Sequence, residues 1–232
     1  MRDTMTTPDR PGGRLLELVA VMSRLRIQCP WDAKQTHESL APHLLEESYE
    51  ALEALESGDP GALREELGDV LLQVMFHAEI ASERTDGTGY TIDDVAEGIA
   101  DKLIRRHPHV FGDVSVSGAD EVRQNWDAIK AAERAAKGGG PGSVLDGVPF
   151  GQPALALAAQ LQRRAERAGV PAGLADLAGA DRDAAITEIG AELFALVARA
   201  RAAGLDPELE LRAASRAYHD RVLAWEEARP AG

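Results

Sequence analysis

Basic charge, aromatic side chains, cysteine and long apolar runs are all scarce in this chain, and each scarcity excludes something. Lys and Arg number 25 against 39 Asp and Glu, a formal net charge of −14. That sign does not suit a nucleic-acid polymer, whose phosphates call for a basic surface, nor a membrane of anionic lipid. Aromatics are 4% of the residues, and Ala and Leu dominate the 44% hydrophobic share. β-Sandwiches draw on Val, Ile, Tyr and Phe; this composition favours helices. No apolar run approaches the roughly 18 residues of a membrane span, and Met1 to Arg14 lacks the apolar stretch of a signal peptide. Cys29 is the sole cysteine, so no intrachain disulfide can form, which fits a reducing cytoplasm. The expectation is a soluble, acidic, all-α cytoplasmic protein. Its 232 residues are enough for one large or two small domains.

Residues 1–13, with Pro8, Pro11, Gly12 and Gly13, read as a loose leader. Leu15, Leu16, Val19, Met22 and Leu25 then recur at helical spacing until Pro30. Cys29 to His37 has no periodicity and reads as a loop. A second helix is expected from about Ala41 to Glu56, closed by Gly58-Asp59-Pro60-Gly61, in which Asp59 can cap a third helix with Pro60 at its first position. That third helix should run to about Glu83. Thr91 caps a fourth, ending before Pro108, and a fifth covers about Asp120 to Lys137. Gly138-Gly139-Gly140-Pro141-Gly142 is the clearest linker in the chain. Helical patterns follow near 153–168, 181–203 and 207–228. The division expected is a leader at 1–13, a helical domain at 14–137, a linker at 138–150 and a second helical region at 151–232. Glu66 to Leu72 resembles Glu188 to Phe194, with Ala191 in place of Asp69. Short Leu/Ala-rich helices can match by chance, so this segment alone does not establish a repeat.

The acidic residues are not scattered. Helix two carries Glu46, Glu47 and Glu50; helix three carries Glu66 and Asp69. Residues three or four apart share a helix face, and a tight turn sets the helices antiparallel. Counted from that turn, Glu50 and Glu66 lie at matching depth, as do Glu47 and Asp69, each pair within about 2 Å at roughly 1.5 Å rise per residue. A single acidic pair on a helix is ordinarily a solvated face. Four converging carboxylates beside Leu45 and Val70 would repel and raise one another's pKa, and a divalent cation resolves that conflict. All-oxygen ligands favour Mg²⁺ or Mn²⁺ over zinc or copper. A di-iron bundle would need Glu-x-x-His on two helices, and neither acidic pair has it. His77, two turns beyond Asp69, reads as a hydrogen-bonded packing residue.

Glu46-Glu47-Ser48-Tyr49-Glu50 followed by Glu66-Leu67-Gly68-Asp69 resembles the EExxE…ExxD signature of the all-α nucleoside triphosphate pyrophosphohydrolases. Within that group the chain resembles the MazG family. Cys29 to His37 matches its CPWDxxQTH loop, Arg106 to Phe111 its RHPHVF segment, and Asn125 to Lys130 its WxxIK helix. MazG proteins are usually tandem copies of this module. Leu145 to Arg167 and Ala184 to Glu227 resemble parts of a second copy, but Ala168 to Ile186 has no EExxE, Ala191 replaces the ExxD aspartate, and Ala217 and Asp220 stand where basic residues are expected, with Arg221 retained. The resemblance implies a degenerate second repeat.

The resemblance further implies Mg²⁺-dependent hydrolysis of nucleoside or deoxynucleoside triphosphates to the monophosphate and pyrophosphate, in the service of nucleotide-pool housecleaning. Glu47, Glu50, Glu66 and Asp69 would hold the metal. Glu46, about 100° around the helix from Glu47, would bind a second metal or act as general base. Lys102, Arg105 and Arg106 end helix four; by resemblance Lys102 and Arg106 contact phosphate, and they also complement a helix C-terminus. Lys130 and Arg134 would assist, or are surface charges. Trp31 would stack on the base with Gln35 and His37 hydrogen-bonding base or sugar, or else Trp31 plugs the core; Trp126 carries the same ambiguity. The other readings are a narrow-specificity dCTP or dUTP pyrophosphatase and a non-catalytic helical nucleotide-binding or regulatory module. A module of short helices leaves apolar faces such as Leu71, Leu72, Met75 and Phe76 uncovered, so a homodimer is expected.

Overall fold

Where the Pro- and Gly-rich leader ends, helix begins. The structure, a computed structural model, describes residues 12–136, 143–177 and 187–227. Most of the leader, the glycine-rich core of the linker and the start of the helix expected from 181 lie outside the described residues. The chain divides into two compact units, Met1–Lys130 and Ala131–Gly232. The first holds α1 (Gly13–Gln28), a 3₁₀ turn (Asp32–Lys34), α2 (His37–Ser57), α3 (Pro60–Ser82), α4 (Ile92–Arg106), the single turn α5 (Pro108–Phe111) and most of α6 (Ala119–Ala136). The second holds α7 (Ala154–Arg167), a 3₁₀ turn (Ala172–Ala175), α8 (Glu188–Ala202) and α9 (Pro207–Glu227). There is no strand among the described residues, and the fold is all-α.

The α2–α3 hairpin is made by the turn residues themselves. Gly58 closes α2 in the left-handed region at φ 74°, which glycine adopts without a Cβ penalty. The Asp59 carboxylate then accepts from the backbone N–H groups of Gly61 at 2.7 Å and Ala62 at 3.3 Å, and Pro60 opens α3. At the other end, α2 begins at His37 rather than near Ala41. Thr36 and Ser39 form a reciprocal capping box, which starts the helix early enough that Pro42 falls inside it. Thr91 and Asp94 cap α4 in the same way.

The core of the first unit is Met22 from α1, Leu40 from α2, and Met75 and Phe76 from α3, with Leu18, Val19, Leu71, Leu72, Ile80 and Ile92 packed against it. This corrects one expectation. Leu71, Leu72, Met75 and Phe76 are not an uncovered face, because α1 lies over that side of α3 and supplies Leu18, Val19 and Met22 to it. A fully buried side chain of this kind contributes about 1.5–3 kcal/mol, and the hairpin is anchored by this packing. An uncovered stripe lies on α4, which buries no residue: Val95, Ile99 and Leu103, four residues apart, are 37%, 48% and 44% exposed.

In the second unit Ala159, Ala191 and Val197 are buried. Gln162 donates to the carbonyl of Phe194 at 2.8 Å, which ties α7 to α8.

Candidate functional site

The α2–α3 hairpin brings Glu47, Glu66 and Asp69 together. Each offers one carboxylate oxygen, and the three oxygens lie within 4.8 Å of one another. All three residues are half-buried. Burial raises the pKa of Glu47, and the charges of Asp69, Glu50 and Glu46 and a hydrogen bond with Glu50 raise it further. Glu66 is raised by burial and then by Glu50, Asp69 and Glu65. The arrangement is therefore a cluster in which negative charge is disfavoured until something positive joins it. Three oxygen donors with no thiolate or imidazole among them match a hard divalent cation such as Mg²⁺ or Mn²⁺, so the residues fit the group that the sequence implied.

The remaining acidic candidates stand around this cluster. Glu50 is outside the set of converging oxygens but bears on both Glu47 and Glu66, helping to raise the pKa of each. Glu46 turns to His43, with Oε2 at 3.4 Å from Nδ1. Gln73, absent from the sequence reading, lies four residues beyond Asp69 on the same face of α3. It is only 5% exposed, and its Oε1 has no hydrogen-bond partner among the described residues. Its one signal in the sequence is an amide interrupting the apolar run from Val70 to Phe76.

Trp31 is on the loop between α1 and α2 and is 53% exposed, so it does not plug the core. Its ring meets Phe76 and His43 edge-on, at centroid distances of 6.2 and 6.1 Å. Gln35 braces the same loop, donating to the Trp31 carbonyl at 3.0 Å and accepting from Ser39 Oγ at 2.7 Å. His37 stacks on His77, with the two Nδ1 atoms 2.8 Å apart. Both polar groups expected to face a nucleoside thus have partners inside the protein. Burial, and then the neighbouring His37, lower the pKa of His77.

A second grouping joins the RHPHVF and WxxIK segments. The Arg106 guanidinium lies 5.8 Å from the Trp126 ring centroid, a cation–π distance, and His107 meets Trp126 edge-on at 4.8 Å. Trp126 is half-buried here, serving as a packing surface for the end of α4. Lys102 and Arg105 are exposed and Arg106 is half-buried. The side chains of Lys130 and Arg134 lie outside the described residues.

Comparison with known proteins bears on residues in both groupings. A family model described as MazG nucleotide pyrophosphohydrolase domain matches residues 35–111. A protein of Streptomyces cacaoi described as an uncharacterized 26.1 kDa protein in the blaB 3′ region is 47% identical over 218 residues, covering 94% of this chain and 85% of its own. The nucleoside triphosphate pyrophosphohydrolase/pyrophosphatase MazG of Thermotoga maritima is 42% identical over 226 residues, 91% of this chain and 85% of its own. The nucleoside triphosphate pyrophosphohydrolase of Mycobacterium tuberculosis is 49% identical over 171 residues, and this chain spans only 50% of its length. Among solved structures, a mazG-related protein from Thermotoga maritima is 28% identical with a TM-score of 0.43, covering 51% of this chain and 97% of its own.

Proposed function

This chain belongs to the MazG family, and on that premise we propose that it is a Mg²⁺-dependent nucleoside triphosphate pyrophosphohydrolase of broad base specificity, acting in the cytoplasm on NTPs and dNTPs. The observation that carries this reading is the convergence of Glu47, Glu66 and Asp69 within 4.8 Å, with Glu47 and Glu66 both raised in pKa by their carboxylate neighbours. A polyanionic triphosphate cannot approach such a cluster unaided. Bound at Glu47, Glu66 and Asp69, with Glu50 supporting Glu47, Mg²⁺ would screen the phosphate oxygens and favour ionisation of a water.

The chain's own groups divide the remaining tasks. Lys102, Arg105 and Arg106 supply positive charge at the end of α4 to balance the departing pyrophosphate. Trp31, 53% exposed, offers aromatic surface on which any base could stack, which is the physical ground for broad specificity. Glu46, which pairs with His43 at 3.4 Å, would act as general base or hold a second metal. We further propose that the chain works as a homodimer formed through α4, whose Val95, Ile99 and Leu103 stripe is exposed.

The test is product analysis on the purified protein with Mg²⁺ and a panel of NTPs and dNTPs in ¹⁸O-labelled water. Attack at the α-phosphorus gives the monophosphate and pyrophosphate, with the label in the monophosphate. Release of orthophosphate and the diphosphate would overturn the mechanism. Turnover of one base alone would replace broad specificity by narrow. Absence of any turnover would leave a binding module.

A further inference from the structure

Arg26, in the last turn of α1, makes more hydrogen bonds than any side chain in the carboxylate cluster. Its side chain is 11% exposed. Nε donates to Glu83 Oε1 at 2.6 Å and Nη2 to Glu83 Oε2 at 2.9 Å, a bidentate pair. Nη1 donates to the carbonyl of Gln35 at 3.0 Å and also to that of Asp32. One guanidinium therefore joins α1, the residue that ends α3, and two carbonyls of the loop that carries Trp31. Loop carbonyls facing the protein must find donors somewhere, and a planar five-donor fork can serve a carboxylate and two carbonyls at once, whereas an ammonium cannot in this geometry. The hydrogen bonds from Arg26 hold Glu83 below the usual carboxylate range, so the clamp stays charge-assisted through neutral pH.

A second tier rests on the first. Gln35, whose carbonyl Arg26 holds, donates through its side chain to the carbonyl of Trp31. The indole is then set edge-on against Phe76 and His43 with half its surface open. An exposed aromatic fixed this way loses little freedom when a base stacks on it, and preorganisation of that kind is gained as affinity.

We propose that Arg26, together with Glu83, is a positioning residue for the nucleoside end of the substrate, acting through the 29–36 loop to present Trp31. This rests on the reading above that the chain hydrolyses nucleoside triphosphates. Arg26 is 57 residues from Glu83 in sequence and touches neither metal ligands nor phosphate-facing cations.

The experiment compares Arg26→Gln, Arg26→Lys and Glu83→Gln with the wild type in nucleotide kinetics, in inhibition by inorganic tripolyphosphate, which has the phosphates and no base, and in ¹⁹F spectra of 5-fluorotryptophan-labelled protein. The Trp31 resonance is assigned by its loss in Trp31→Phe. Arg26→Gln should raise KM for nucleoside triphosphates about tenfold, the order of one base–aromatic stack, with kcat within about threefold. Inhibition by tripolyphosphate should be unchanged. The Trp31 resonance should shift or broaden while those of Trp126 and Trp225 hold. Arg26→Lys should not rescue, and Glu83→Gln should show a smaller change in the same direction. An Arg26→Gln protein with wild-type KM and a wild-type Trp31 resonance would overturn the proposal, as would an equal loss of tripolyphosphate and nucleotide affinity. If Arg26→Gln does not fold, Glu83→Gln, which keeps both carbonyl contacts, decides on the same readouts. A wild type that releases no pyrophosphate would end the proposed activity and leave the clamp to be judged by the Trp31 resonance.

Discussion

Ionisation of Glu47 and Glu66 is disfavoured by their surroundings, since burial and neighbouring carboxylates both raise their pKa. A carboxylate whose folded pKa exceeds its unfolded value stabilises the fold below the ordinary range and loses that contribution as pH rises through the raised value. In the metal-free protein the repulsion therefore grows as the pH rises through those values. At Mg²⁺ about ten times its Kd, binding should add about 1.4 kcal/mol, raising Tm by about 3–5 °C in a chain of this size. Glu47→Gln should abolish that rise, leave or increase the metal-free Tm, and lower turnover at least about 100-fold; a variant keeping its Mg²⁺-dependent rise in differential scanning contradicts the ligand assignment. His77 has the opposite sign. Burial and His37 lower its pKa, so neutral His77 stabilises the fold above the ordinary value of 6.5 and that stability fades as pH falls through the lowered one. Tm measured from pH 7.5 to 5 should fall more steeply in the wild type than in His77→Gln, and parallel curves would show that the stacked pair has no such role.

The elements were legible wherever a short-range signal ended them. Gly58, Asp59 and Pro60 announce the hairpin turn, and Thr91 the start of α4, because caps act within one helical turn. Asp59→Ala, which leaves two amide groups of α3 without their acceptor, should cost about 1 kcal/mol, or about 2–4 °C in Tm, in a thermal melt. Pyrophosphate release should be unaffected, since Asp59 lies at the far end of the hairpin from Trp31. The start of α2 was harder to see. Its cap pairs Thr36 with Ser39 rather than with Glu or Gln, and Pro42 disguises the helix that follows. The convergence of carboxylates could be counted from the turn because helical rise is constant. How far Glu50 stands from the cluster, and that Glu46 turns to His43, depends on rotamers that spacing does not fix. Gln73 and Arg26 were illegible for a different reason: the burial of one and the partner of the other are set by α1, α2 and α3 meeting in space, with no local pattern to record it.

At the scale of the whole chain, the two units differ in what their acidic helices can do. In the first, Asp69 is half-buried beside Glu47 and Glu66. In the second, Ala191, which the sequence resemblance sets against Asp69, is 8% exposed in α8, where a carboxylate would be desolvated inside packed helices. The net charge of −14 is thus spent unevenly, with the metal-type cluster confined to the first unit among the described residues. That unit also carries an exposed apolar stripe, on α4. A charged residue at an isolated exposed position would change stability by no more than about 0.5 kcal/mol. Ile99, midway along the α4 stripe, is 48% exposed, so Ile99→Glu should leave the single chain folded while placing two like charges across any symmetric interface formed by α4. Light scattering at micromolar concentration should give twice the single-chain mass for the wild type and the single-chain mass for Ile99→Glu, with equal helix content by circular dichroism. A wild type that runs as a monomer, or an Ile99→Glu protein that remains a dimer, places the interface elsewhere or removes it, and α4 must then be counted as a helix that serves the core through Ile92 while its Val95, Ile99 and Leu103 stripe stays solvated.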